Sequence, residues 1–112
     1  MEEIDRTTFA ELQAAAGAEF VAELVDTFLE EAPQMLAELR RALAEGNADR
    51  FRRAAHSLKS NSHTFGALAL GAMARELELG GLPPDAAPID RLDAAYARAA
   101  AALTTLARLG HD

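Results

Sequence analysis

The chain contains no cysteine, which removes disulfides and thiolate chemistry from consideration. It also lacks any apolar run approaching the roughly 18 residues that a membrane-spanning helix needs. Met1-Glu2-Glu3 is acidic where a secretory signal would be basic, so a soluble, cytoplasmic protein with no membrane partner is expected. Basic side chains are the minority, 11 Lys and Arg against 18 Asp and Glu, for a net charge of -7. That balance argues against nucleic acid as a partner, because such partners are met by a broad cationic surface. β-Branched residues are scarce beside Ala, Leu, Glu and Arg, a composition that favours helices over strands.

With 112 residues the chain suits one compact domain spanning 1–112. Breaks at Gly17, Gly46, Gly66 and the Gly80 to Asp85 segment separate a short leading helix from four longer stretches. The leading piece, Thr8 to Ala16, carries Phe9 and Leu12 at helical spacing, with Thr8 and Glu11 placed as a capping box. From Glu19 to Glu45, Phe20, Leu24, Phe28, Met35, Leu39 and Ala42 form a broad apolar face with Val21, Val25, Ala32, Leu36 and Leu43. Pro33 removes a backbone donor and crowds the carbonyl four residues back. Since the apolar phase continues past it, a bend is expected there, and not a break.

Asn47 is a good N-cap for the next helix, whose stripe of Phe51, Ala55, Leu58, Ser62 and Phe65 should face the core. Leu70, Met73 and Leu77 mark a further helix. After Pro83-Pro84, the positions Ile89, Leu92, Tyr96, Ala99, Leu103 and Leu106 mark the last one. Short connections imply antiparallel neighbours, so the expected fold is all-α: an up-down-up-down four-helix bundle with a short additional N-terminal helix. The alanine-rich stretch from Ala99 to Ala102 belongs in the bundle interior, with a dimer face as the alternative, and a monomer is expected.

At about 100° per residue, Arg52, His56, Lys59, Ser60 and His63 fall on a stripe turned away from Phe51, Leu58 and Phe65. A solitary surface histidine is usually just solvated. Lys59 changes the weighting, because it lies one turn from His56, about 5–6 Å between β-carbons. It thus sets a cation where a phosphorylated imidazole would carry its negative charge.

The segment Ala55-His56-Ser57-Leu58-Lys59-Ser60-Asn61-Ser62-His63-Thr64-Phe65-Gly66 resembles the histidine-containing phosphotransfer (HPt) domain family. Its pattern is His-x-Leu-Lys-Gly followed by a second glycine ten residues after the histidine. The resemblance extends to Ile4-Asp5, to Phe28-Leu29-Glu30-Glu31-Ala32-Pro33, and to Leu70 through Leu77-Glu78. It implies that His56 is the phosphoacceptor, that Lys59 stabilises the phosphate, that Leu58 packs in the core and that Gly66 lets neighbouring backbones approach. The sequence departs from the pattern at Ser60, where glycine is usual, and at His63, where a small residue is common. Ser60 is equally readable as a phosphate hydrogen-bond donor and as a tolerated small side chain. His63 reads better as a surface histidine than as a proton-exchanging group.

The resemblance further implies a phosphocarrier of a multistep two-component phosphorelay, taking a phosphoryl group from one receiver-domain aspartate and passing it to another. Its partners would be response-regulator receiver domains and a sensor or hybrid histidine kinase. An exposed imidazole is mostly neutral near neutral pH, so no general base is called for. No Gly-rich phosphate loop is present, which points away from ATP-dependent kinase activity of its own. No cofactor is expected on this chain; Mg²⁺ would come from the partner receiver. His56 and His63 are seven residues apart, unlike the four-residue spacing of paired metal ligands on one helix, so no metal is expected. The docking surface should include Arg52, His56 and Lys59. Phe9 and Leu12 would either add apolar contacts to it or cap the core.

Two other classes of function compete. A plain helical interaction module would leave His56 incidental. An independent enzyme would pair His56 and His63 with a nearby acid, for which Asp49 is the nearest candidate on the same helix, but it lacks a pocket and an orienting group.

Overall fold

The computed structural model describes residues 3–111, and the described residues form five α-helices and no strand. They are α1 (Arg6–Ala16), α2 (Ala18–Glu45), α3 (Ala48–Thr64), α4 (Leu68–Gly80) and α5 (Ala87–His111). Helix α2 is the spine of the bundle, with α3 on one side and α5 on the other, and α4 closes the far side against both.

Contacts between particular residues fix the directions. Glu38 and Glu45 near the end of α2 meet Arg50 at the start of α3, whereas Phe28 earlier in α2 meets Phe65 just past the end of α3. Arg40 of α2 pairs with Asp90 and Asp93 in the first turns of α5, and Leu29 meets Tyr96 further along. Both neighbours therefore run antiparallel to α2, as short connections demand. The core is built on Val21, Val25, Phe28, Leu39, Phe51, Leu58, Leu70, Ile89, Leu92 and Leu103, all buried. Ala95 and Ala99 are buried with them; of the Ala99 to Ala102 stretch expected inside, Ala100 and Ala102 are half-buried and Ala101 faces outward, because four consecutive helical residues cannot share one face.

Helix starts follow local chemistry. The Asn47 side chain accepts from the Arg50 N–H at 3.0 Å, which satisfies one of the orphan donors of α3. Helix α1 departs from the capping box expected at Thr8 and Glu11. It begins two residues earlier, at Arg6, and its cap is Asp5, whose carboxylate accepts from both the N–H and the hydroxyl of Thr8. An ionised carboxylate is a stronger acceptor than a hydroxyl and turns Thr8 into a donor.

The Asp5 N–H donates to the Gly66 carbonyl at 2.7 Å and so ties the chain before α1 to the α3–α4 turn. A Cβ on Gly66 would sit 2.8 Å from the Asp5 carbonyl oxygen, and its φ of 83° is itself one that side chains avoid. Gly66 is the point at which the two backbones touch. Phe9 is only 3% exposed and Leu12 packs against the same cluster, so the apolar face of α1 covers the end of the core. Of the two uses considered for these residues, the structure shows capping. Phe20 is 51% exposed, contrary to its place on the apolar face. It lies in the first turn of α2, on the margin of the buried stripe and beyond the end of α3.

Helix α2 runs unbroken through Pro33. Proline has no N–H to offer the Leu29 carbonyl four residues back, and the Tyr96 hydroxyl, arriving from α5, donates to that carbonyl at 3.3 Å. Burial raises the Tyr96 pKa, which keeps the hydroxyl a donor. Tyr96→Phe should cost about 0.5–1.5 kcal/mol of stability, the usual net worth of a hydrogen bond, as read by urea unfolding. The loss should shrink in a Pro33→Ala background, where the new alanine supplies the missing N–H. Equal losses in both backgrounds would contradict this account of Pro33.

Candidate functional site

Helix α3 presents one face to α2 and another to α4, leaving a strip between them in solvent. Arg52, His56, Ser60 and His63 are exposed along that strip and Lys59 is half-buried at its α4 edge, whereas Leu58 is fully buried. The His56 side chain is 55% exposed. It stands on the helix surface and not in a cavity.

Helix α4 lies antiparallel to α3, and two contacts set the register. The His63 ring covers Gly71, where a Cβ would overlap it, and His56 meets Glu78. Both pairs are separated by the same interval on the two helices, about two turns. Gly71 has a buried backbone, and the missing side chain is what allows the ring to lie there.

The Glu78 side chain is only 12% exposed. Its Oε2 lies 2.6 Å from His56 Nδ1. Its Oε1 lies 2.7 Å from Lys59 Nζ, an ion pair somewhat off the line of a well-formed hydrogen bond. The Lys59 ammonium, and after it the hydrogen bond from His56, hold the Glu78 carboxyl below the ordinary glutamate pKa of 4.5. An ionised carboxylate only accepts, so Nδ1 is the nitrogen that carries the proton, and Nε2 of the neutral ring keeps its lone pair. The carboxylate thus selects the tautomer and orients the ring, and the unengaged Nε2 is left as a nucleophile.

Of the residues singled out by sequence, the structure brings together His56 and Lys59, with Glu78 as the link between them. Arg52 lies nearby but is held by Asp49 at 2.7 Å, and Arg53 is held by the same carboxylate at 3.2 Å. The Arg52 hydrogen bond, then the charge of Arg53, lower the Asp49 pKa. Asp49 is therefore engaged by arginines, and His63 by Gly71, so these two do not converge with His56 into a separate catalytic set. The Ser60 carbonyl accepts from the Thr64 hydroxyl, and Ser60 itself is exposed on the strip. Among the described residues no three His, Asp or Glu side chains gather as a metal site, and no helix is long and apolar enough to cross a membrane.

Glu78 was not singled out by sequence, where it figured only as the end of the resemblance after Leu77. A signal was present: an acidic residue directly after an apolar-phase leucine, four positions after Ala74, falls on the flank of α4 that meets its neighbour. That flank becomes informative only when the α3–α4 register is known.

A helical bundle with a solvent-facing, carboxylate-oriented histidine and an adjacent lysine is chemically suited to a histidine phosphocarrier. The Hpt domain family model matches residues 23–102, and the chain belongs to that family, whose members are phosphocarriers of phosphorelays and not kinases. Among solved structures it is similar to histidine-containing phosphotransfer protein B (HptB) from Pseudomonas aeruginosa PAO1. That match has 28% identity and a TM-score of 0.86 and covers 95% of each chain. No curated protein sequence matches the chain.

The depressed Glu78 pKa makes the pair pH-dependent. A carboxyl with a folded-state pKa below its unfolded value adds stability that is present above the unfolded value and lost as pH falls through the folded one. Wild type should therefore be more stable than Glu78→Gln at neutral pH, and the gap should close as pH drops below about 4.5. Unfolding curves of the two proteins across that range check it. A gap that persists unchanged into acid would show that the carboxylate charge is not what holds the pair.

Proposed function

We propose that His56 accepts a phosphoryl group from the aspartyl phosphate of one receiver domain and hands it to the aspartate of another. Family membership supports a phosphorelay carrier. The observation that carries the residue-level reading is the Nδ1–Glu78 hydrogen bond at 2.6 Å, which leaves Nε2 unengaged on a side chain 55% exposed. In the forward step the Nε2 lone pair forms the N–P bond as the P–O bond to the receiver aspartate breaks, and the aspartate leaves as a carboxylate. The ring keeps its Nδ1 proton and becomes positively charged, with the Glu78 carboxylate against that charge. No proton need be removed, so the step reverses readily onto the next receiver.

With the histidine fixed on a rigid helix, catalysis becomes mostly in-line positioning and neutralisation of charge. Lys59, still against Glu78, supplies part of that neutralisation from one turn along α3. Ser60 and Arg52 lie on the surface that the receiver would cover, and His63 marks its far end. Magnesium, in this reading, is held by the receiver's acidic pocket. The carrier acts as a cytoplasmic monomer, draws its phosphoryl group ultimately from a sensor or hybrid kinase, and does not phosphorylate itself from ATP.

Incubation with a labelled phospho-receiver and Mg²⁺ should transfer label to wild type and not to His56→Gln, as an acid-labile, alkali-stable adduct. Lys59→Gln should slow transfer by about tenfold or more, less than the roughly hundredfold or greater cost of removing a charge-stabilising donor from a water-excluded site, because the surface around Lys59 is open to solvent. Equal labelling of His56→Gln, or no transfer from any of a panel of receivers, would overturn the reading.

A further inference from the structure

The charges around His56 do not suffice for the group that it would carry. Glu78 is ionised between Lys59 and His56, so the lysine charge is already matched before any phosphoryl group arrives. A phosphoryl group brings close to two further negative charges. The arginines nearest on α3 are committed elsewhere: Arg52 and Arg53 to Asp49, and Arg50 to Glu38 and Glu45.

Arg75 on α4 is exposed and has no acidic partner among the described residues. Its place follows from the register. Gly71 lies against His63 and Glu78 against His56. Arg75 is four residues after Gly71 and three before Glu78, which puts all three on one flank of α4. It therefore projects beside the same exposed strip, across from Lys59 and between the two histidines. Facing helices pack about 8–10 Å apart, a gap that a long, flexible guanidinium side chain can cross.

On the reading that His56 is the phosphoacceptor, we infer that Arg75 is the second cation of the phosphoryl site. It binds the phosphoryl oxygens once the group sits on Nε2. Its planar fork suits two oxygens of one phosphoryl group, which a lysine meets only as a point charge. The pairing leaves the Lys59–Glu78 contact intact, so the histidine keeps its orienting carboxylate while the phosphate is neutralised from the opposite helix.

Phosphoramidate, which donates a phosphoryl group to histidine without a receiver, tests this on the whole chain. Rates of labelling would be compared for wild type, Arg75→Gln, Arg75→Lys and His56→Gln, with the ³¹P signal of each phosphohistidine followed against pH. Arg75→Gln should label about three- to fivefold more slowly at low salt, the scale of an exposed charge pair. Arg75→Lys should recover part of the rate, and the difference should fade at ~1 M salt, where screening acts within about 3 Å. The ³¹P titration of Arg75→Gln should be displaced from that of wild type, while its unfolding midpoint stays the same. Wild-type rate together with an unchanged ³¹P titration in Arg75→Gln would overturn the role of Arg75. Labelling of His56→Gln at the wild-type rate would instead overturn His56 as acceptor, and the inference with it.

Discussion

A carboxylate in a nearly closed helix interface is costly unless each of its oxygens finds a partner, and Glu78 finds both on α3. Oε1 takes Lys59 and Oε2 takes His56. One side chain thereby links the packing of α3 on α4 to the state of the histidine. The arrangement needs the two helices in one register, and the same register that sets Glu78 against His56 sets Gly71 under His63. Upstream, the α3–α4 turn holds that register through Gly66, where the chain entering α1 touches the turn backbone. A shift of α4 by one residue would turn Glu78 away by about 100° and leave both a bare carboxylate and an unoriented imidazole.

That coupling suits a carrier. A histidine in a deep pocket would exclude a second protein, whereas a freely rotating surface histidine would present either nitrogen in many directions. Here the ring is fixed from one side by a carboxylate that is mostly buried, while its other side is open. The strip around it is polar and exposed, and α1, with Phe9 turned into the core, caps the end of the bundle. The bundle thus supplies a rigid platform, and in the proposed mechanism the remaining half of the chemistry belongs to the docking receiver.

Much of this was legible in the sequence because helical periodicity reports directly on burial. The core positions of α3, the Asn47 cap and the outward stripe containing His56 follow from spacing alone, and the motif from His56 to Gly66 marks the family. What was not legible depends on two helices at once. Glu78 lies outside the contiguous motif, and its importance rests on a register that no single-helix pattern contains. Lys59 looked like a free cation when its only visible neighbour was His56. The hydroxyl of Tyr96 on the Leu29 carbonyl is likewise a relation between α5 and the proline of α2. Local competition explains the remaining differences: Asp5 displaces Thr8 as the cap of α1, and Phe20, on the apolar face by period, sits in the first turn of α2 past the end of α3.

In the proposed mechanism Glu78 keeps the proton on Nδ1 and thereby directs phosphorylation to Nε2. Phosphorus–nitrogen coupling in the ¹⁵N-histidine-labelled phosphoprotein identifies the nitrogen bonded to phosphorus and so tests this most directly. Coupling to Nε2 of His56 is expected, with Nδ1 still protonated against Glu78. Coupling to Nδ1 would contradict it, because the phosphoryl group would then occupy the place assigned to the carboxylate contact.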